Sequence, residues 1–317
     1  MKHLRTLLAI LLLSATLVQA EEKEGKALPE TSTQHSLSQI TPGAGPRVKE
    51  GLDIALFADF IYWNTSLDTL TYAKTGFGVD PSAPHLKHGK IQPVNWGWDP
   101  GFKIGINWNF PHGCWDMILQ YTWLDAQATG TTNSSTIACG FPTFFPTNHM
   151  EPIQRAHAHF DLTYQLADLE IGRNYYVSRT LKLRPFVGLK GTWQRQNYDV
   201  SYISHTQKQF YDYHVTFDHK LWGLGARGGI HSSWHFTKVF SLYGNLALSS
   251  MWLNYDTSRK DSFAASDQPA LDNVAIQGSP NLIKPVLECD IGLRAETYYS
   301  NGRYHILGLT AKVRFDF

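Results

Sequence analysis

Leu307-Gly308-Leu309-Thr310-Ala311-Lys312-Val313-Arg314-Phe315-Asp316-Phe317 ends the chain on strict alternation. Successive side chains of a strand point to opposite faces, so Leu307, Leu309, Ala311, Val313, Phe315 and Phe317 share one face. Gly308, Thr310, Lys312, Arg314 and Asp316 share the other. A helix would scatter both sets around its axis. The segment is a strand with one apolar and one polar wall.

The same period recurs upstream. Phe102, Ile104, Ile106 and Trp108 alternate with Lys103, Gly105 and Asn107. Trp115, Met117, Leu119, Tyr121 and Trp123 alternate with Asp116, Ile118, Gln120 and Thr122, and the turn Asn109-Phe110-Pro111-His112-Gly113 joins the two as a hairpin. Leu181, Leu183, Pro185, Val187 and Leu189 stand against Lys182, Arg184, Phe186, Gly188 and Lys190. Trp222, Leu224, Ala226 and Ile230 stand against Gly223, Gly225, Arg227 and His231.

Period two does not say which face is inside. A soluble sandwich buries its apolar face, whereas a membrane barrel turns that face to lipid and lines its lumen with the polar one. Three features favour the membrane. The alternating runs reach about ten residues or more, against the ~5–6 typical of soluble strands. Trp63, Trp108, Trp115, Trp123, Trp193, Trp234 and Trp252 fall near strand ends, as interfacial girdles require. Short turns (177–180, 237–239) alternate with long connections (125–156, 254–283). The expected fold is an all-β transmembrane antiparallel up-and-down β-barrel. Nine strands can be placed: 52–63, 97–109, 114–124, 157–176, 181–201, 212–234, 239–253, 284–298 and 303–317. Single-chain bacterial barrels have even counts, so 10 or 12 strands are expected, with the missing one in 66–79 or 262–282.

The N-terminus sends the chain out of the cytoplasm. Lys2, His3 and Arg5 precede the apolar run Leu7 to Leu13, and Val18-Gln19-Ala20 supplies a cleavage site. Residues 1–20 read as a signal peptide, 21–51 as a polar, Pro-punctuated periplasmic segment, and 52–317 as the barrel. Of 28 Lys and Arg, Lys2 and Arg5 fall in the signal peptide, leaving 26 basic against 27 acidic residues. That balance gives no support for binding nucleic acid. Cys114, Cys139 and Cys289 are too few and too dispersed for a disulfide scaffold or zinc motif, and their odd number leaves at least one thiol free or intermolecular.

Several segments together resemble the Legionella-type major outer membrane protein family, which has relatives in chlamydia-like bacteria. They are Phe57-Ala58-Asp59-Phe60-Ile61-Tyr62-Trp63, Gly101-Phe102-Lys103-Ile104-Gly105, Leu166 to Arg173, Leu183 to Leu189, Gly223-Leu224-Gly225-Ala226-Arg227, Lys284-Pro285-Val286-Leu287-Glu288 and Leu309 to Phe317. The resemblance implies an abundant surface porin-like barrel, sometimes with adhesin or antigen roles. The terminal strand also resembles the C-terminal strands of outer-membrane barrels, where Phe315 and Phe317 would be the signal read by the barrel-assembly machinery. The stretch from Arg303 to Phe317 is shorter than the family leads one to expect.

The residues expected to line the lumen are Asp59, Lys103, Asp116, Asp161, Lys182, Arg184, Lys190, Arg227, Glu288, Asp290, Arg294, Lys312 and Arg314, all on polar strand faces. A charge facing lipid at the bilayer midplane costs about 2–4 kcal/mol, so they point inward. Opposed signs across a lumen orient passing polar solutes; the alternative is that they pair and plug a narrow barrel. His157, His159 and Asp161 share a face, but no fourth ligand accompanies them, so no metal site is expected. Phe141, Phe144 and Phe145, in the run 127–150, could form a constriction, meet a neighbouring subunit or a host surface, or pack within their own loop. His214, His219, His231 and His235 lack a Gly-x-Ser-x-Gly elbow beside them, so no enzyme is expected. The functional expectation is passive diffusion of small hydrophilic solutes, with no cofactor; the alternative is a structural or adhesive surface barrel with a closed lumen. Expected partners are outer-membrane lipid, the assembly machinery and small solutes, with a homo-oligomer left open.

Overall fold

The computed structural model describes residues 11–12, 53–67, 70–75, 90–110, 113–139, 153–205, 210–237, 240–265, 268–300 and 304–316. Its regular elements are all strands. They are β1 (Asp53–Trp63), β2 (Thr71–Thr75), β3 (Lys90–Pro93), β4 (Asp99–Asn109), β5 (Trp115–Cys139) and β6 (Ile153–Arg173), then β7 (Leu181–His205), β8 (Phe210–His235), β9 (Phe240–Ala265), β10 (Gln268–Gly278), β11 (Asn281–Ser300) and β12 (Tyr304–Asp316). Three two-residue strands, Leu11–Leu12, Asn95–Trp96 and Tyr175–Tyr176, complete the set.

Nine long strands form one antiparallel up-and-down meander in the order β1-β4-β5-β6-β7-β8-β9-β11-β12. These are the nine placed from the sequence. The two windows expected to hide a further crossing do contain strands, but those strands serve the loops. β2 pairs with β3 and with the far end of β5, at Ala73 opposite Cys139. β10 pairs with the outer half of β9, from Thr257 to Ala265. With nine strands, β1 and β12 run in the same direction. Leu11–Leu12, within the segment read as a signal peptide, pairs antiparallel with Ala311 and Thr310 of β12 and touches β1.

Along β8, Trp222, Leu224, Ile230 and Trp234 point outward and are exposed. Twelve residues at ~3.4 Å each, tilted by ~45°, span roughly 30 Å, close to the apolar band of an outer-membrane barrel. Neighbouring strands carry the same belt. Trp193, Trp222 and Trp252 mark its loop-side rim, with Trp222 and Trp252 edge to face at 5.2 Å. Trp108, Trp115, Tyr175, Trp234 and Phe236 mark the turn-side rim, where the Arg173 guanidinium lies 5.9 Å from the centre of the Trp115 ring and 5.2 Å from that of Tyr175. The turn joining β4 to β5 is the short hairpin expected. Gly113 (φ 77°) and Cys114 (φ 58°) both take left-handed backbone there, and Phe110 N–H donates to the Trp115 carbonyl at 2.8 Å.

Beyond the loop-side rim the strands do not stop. β5, β6, β7, β8 and β9 continue for about a dozen residues each, and the chemistry of their two faces exchanges. On β6, Asp168 and Glu170 face inward within the belt, while above it the same inner face carries Ala156, Ala158, Phe160 and Leu162. The outer face changes from Ile171 to Thr163, Asp161, His159 and His157. Above the membrane the wall stands in water, so its apolar side must turn inward. An inner apolar core forms there from Ile61, Trp63, Tyr72, Val94, Leu124, Phe160, Tyr198, Val200, Tyr202 and Tyr213. The β2–β3 hairpin joins this core: Tyr72 lies over Gly130 and bonds Thr132 at 2.7 Å, while the Tyr202 hydroxyl donates to the Tyr72 carbonyl at 2.5 Å.

Candidate functional site: a buried charge network in the lumen

Within the belt, the inner faces of β5 to β8 and β11 bring charged side chains together. Asp116 comes from β5, Asp168 and Glu170 from β6, Arg184 and Lys190 from β7, Arg227 and His231 from β8, and Glu288 from β11. Alternation puts each on the inward wall. Arg227 stands close to midway between Trp222 and Trp234, so the cluster sits near the centre of the bilayer.

The contacts form a chain across the lumen. Arg184 donates through Nε to Asp116 Oδ1 at 2.7 Å and through Nη1 to Glu170 Oε2 at 2.8 Å. Lys190 Nζ meets Asp168 Oδ1 at 3.1 Å and also reaches Glu288. Arg227 Nη1 lies 2.8 Å from Asp168 Oδ2 and 3.3 Å from Glu170 Oε1, while its Nη2 meets Glu288. Gln120 donates to Asp168 at 2.9 Å and Asn174 to Asp116 at 2.7 Å. His231 Nε2 lies 3.0 Å from Glu170 Oε2, and its Nδ1 lies 2.6 Å from Asn245 Oδ1. Both ring nitrogens therefore lie beside side-chain oxygens. Asp116, Asp168, Glu170 and Glu288 are thus held by Arg184, Lys190 and Arg227, with His231 beside Glu170.

The burial is deep. Glu170 is 1% exposed, Asp168 and Lys190 2%, whereas Val187 on the opposite wall of β7 is 67% exposed. Several pairs connect strands that are not neighbours, which demands small residues in between. Arg184 passes over β6 to reach Asp116, and a Cβ on Gly172 would lie 2.6 Å from its guanidinium. Phe186 supplies an apolar floor. Its ring stacks on His231 at 4.5 Å and lies 5.6 and 5.4 Å from the Arg184 and Arg227 guanidinium carbons.

Six of the thirteen residues expected to line the lumen, Asp116, Arg184, Lys190, Arg227, Glu288 and Asp290, are buried on its wall. Asp290 joins the network through Asn245 at 3.5 Å. Asp59 and Lys103 face inward opposite each other in the β1–β4 register. Lys182 is on the inner face opposite Ser233, near the short turns. Asp161 is a correction: it stands on the outer face of β6 above the membrane, 3.1 Å from His159. The reason is the exchange of faces, since there the polar wall is the outer one. His157 is on that same face, bonded to Thr131 at 2.9 Å. The side chains of Arg294, Lys312, Arg314 and Phe315, and all of Phe317, lie outside the described residues. So do Phe141, Phe144 and Phe145, and it is the β2–β3 hairpin that covers the inner wall of the mouth. Cys114 and Cys289 are free thiols.

Asp168, Glu170 and His231 were not among the expected lumen residues. The signal for the first two was present, because they alternate on β6 in the phase opposite to Leu169 and Ile171.

An inward charged wall, a lipid-facing apolar belt and two aromatic rims on an up-and-down meander agree with the comparison of the sequence with known families. The model of the Legionella pneumophila major outer membrane protein precursor matches residues 45–311. The chain belongs to this family. It is therefore an outer-membrane protein of bacterial type, with the belt in the outer membrane and the short turns on the periplasmic side. No curated protein matches it.

Proposed function

We propose that this major outer membrane protein lets small hydrophilic solutes diffuse passively through its lumen, with the Asp168–Lys190–Arg227–Glu288 network as the narrowest point. The observation that carries the reading is a set of both charge signs on the inner wall at mid-membrane, where the outer wall carries no charged side chain among the described residues. A permeating ion or dipole exchanges partners with fixed charges there instead of crossing bare hydrocarbon. The proposal involves no chemical step and no cofactor; insertion is by the assembly machinery.

The burial of the same network favours a second reading, a structural or adhesive surface barrel whose lumen is shut. Planar-bilayer recording separates the two. Stepwise ohmic conductance from folded protein supports diffusion, and its persistent absence would overturn it. If the wild type is silent while Arg227→Ala conducts, the network is a permanent plug and the closed-lumen reading holds.

A further inference from the structure

Immediately above the loop-side tryptophans, the outer wall carries a second charged cluster, separate from the lumen. Arg195, Lys220 and Asp256 are register partners on β7, β8 and β9, each close along its strand to Trp193, Trp222 and Trp252. With Asp218, Ser258 and Gln277 they line an open cleft of about 400 Å³. Arg195, Asp218, Lys220 and Asp256 are all exposed, and among the described residues none of them forms an ion pair. Two cations and two carboxylates thus face outward, unpaired with one another, at the level where acyl chains end and headgroups begin.

We propose that this cleft binds the phosphate-bearing headgroup of an outer-leaflet glycolipid together with a divalent counter-ion. Tryptophan rims fix the height of the hydrocarbon boundary, so a lipid lying against Trp193 and Trp222 carries its headgroup to Arg195 and Lys220. The two bases neutralise phosphate oxygens, and guanidinium suits phosphate bidentately. Asp218 and Asp256 would repel a bare phosphate; a divalent cation shared between carboxylate and phosphate oxygens removes that repulsion, since such ions prefer oxygen ligands. The Ser258 hydroxyl and the Gln277 amide add neutral donors. The inference rests on the membrane placement of the belt and not on conduction through the lumen.

The test uses the full chain folded in detergent micelles and titrated with diphosphoryl lipid A, its dephosphorylated counterpart, and inorganic phosphate. Wild type should bind diphosphoryl lipid A with magnesium present at least tenfold more tightly than the dephosphorylated lipid, and a chelator should weaken that binding. Inorganic phosphate at millimolar concentration should compete poorly. Arg195→Gln with Lys220→Gln should lose about tenfold in affinity, while Lys260→Gln, higher on the same outer wall, should not. Asp218→Asn with Asp256→Asn should abolish the effect of the chelator. Equal binding of the phosphorylated and dephosphorylated lipids by wild type overturns the proposal without recourse to any variant. So does unchanged affinity in the folded Arg195/Lys220 variant, or full displacement by inorganic phosphate. Bilayer conductance is scored separately, so failure here is distinguishable from failure of the diffusion reading.

Discussion

Gly172 shows how one missing side chain shapes the lumen. It lies on β6 between Asp116 and Phe186, and its bare backbone lets the Arg184 guanidinium cross to Asp116. Gly172→Ala should push Arg184 aside and destabilise the folded barrel by about 1–3 kcal/mol, as overpacking does; urea unfolding in lipid bilayers measures it. Arg184→Met should cost more, roughly 3–5 kcal/mol, because it leaves Glu170 and Asp116 buried without their shared cation. A double variant Arg184→Met/Glu170→Gln that recovers part of the loss would confirm the pairing; equal losses in the single and double variants would refute it. Arg184 was readable from alternation and charge. Its partners were not, because alternation gives a face but not the register between strands two apart.

At the scale of the strand, the decisive property is the exchange of faces at the loop-side tryptophans. Leu248 on β9 is outward, within the belt and 58% exposed, while Ser201 on β7 is outward but above it. Leu248→Arg should lower folding stability in bilayers by about 2–4 kcal/mol, and Ser201→Arg by close to nothing. Comparable losses at the two positions would mean that the belt is misplaced. The exchange also explains where the sequence reading fell short. Strands that run 25 or 26 residues, such as Trp115–Cys139 and Phe240–Ala265, read as shorter ones followed by loops, because outward apolar residues stop at the rim. Alternation itself continues with the sides reversed. Asp161 was misassigned for that reason, on the assumption that polar always means inward.

The whole molecule therefore has two storeys. The lower one is a lipid-facing belt around a charged interior. The upper one is a water-facing wall around an apolar interior held by Tyr202, Tyr198 and the β2–β3 hairpin. Tyr202→Ala should remove about 3–5 kcal/mol from the upper storey, by analogy with large-to-small changes in buried cores. Hydrogen exchange should then rise in the outer halves of β5 to β8 while amides within the belt stay protected. Uniform loss of protection would show that the storeys unfold as one.

The sequence by itself determined the class of the fold, the nine long strands and most of the inward charges. Each follows from local period, from side-chain polarity, or from the cost of placing charge in lipid. Only the tertiary structure decided which charges meet, that they are buried to a few per cent, that the connecting hairpin covers the inner wall, and that the terminal strand shares its free edge with an antiparallel neighbour at Ala311. Those depend on register and on contacts between residues tens of positions apart, such as Lys190 and Glu288, which no local pattern encodes. The alternating strand from Leu307 to Asp316 announces a barrel wall, whereas what stands inside that wall is set by the strands across from it.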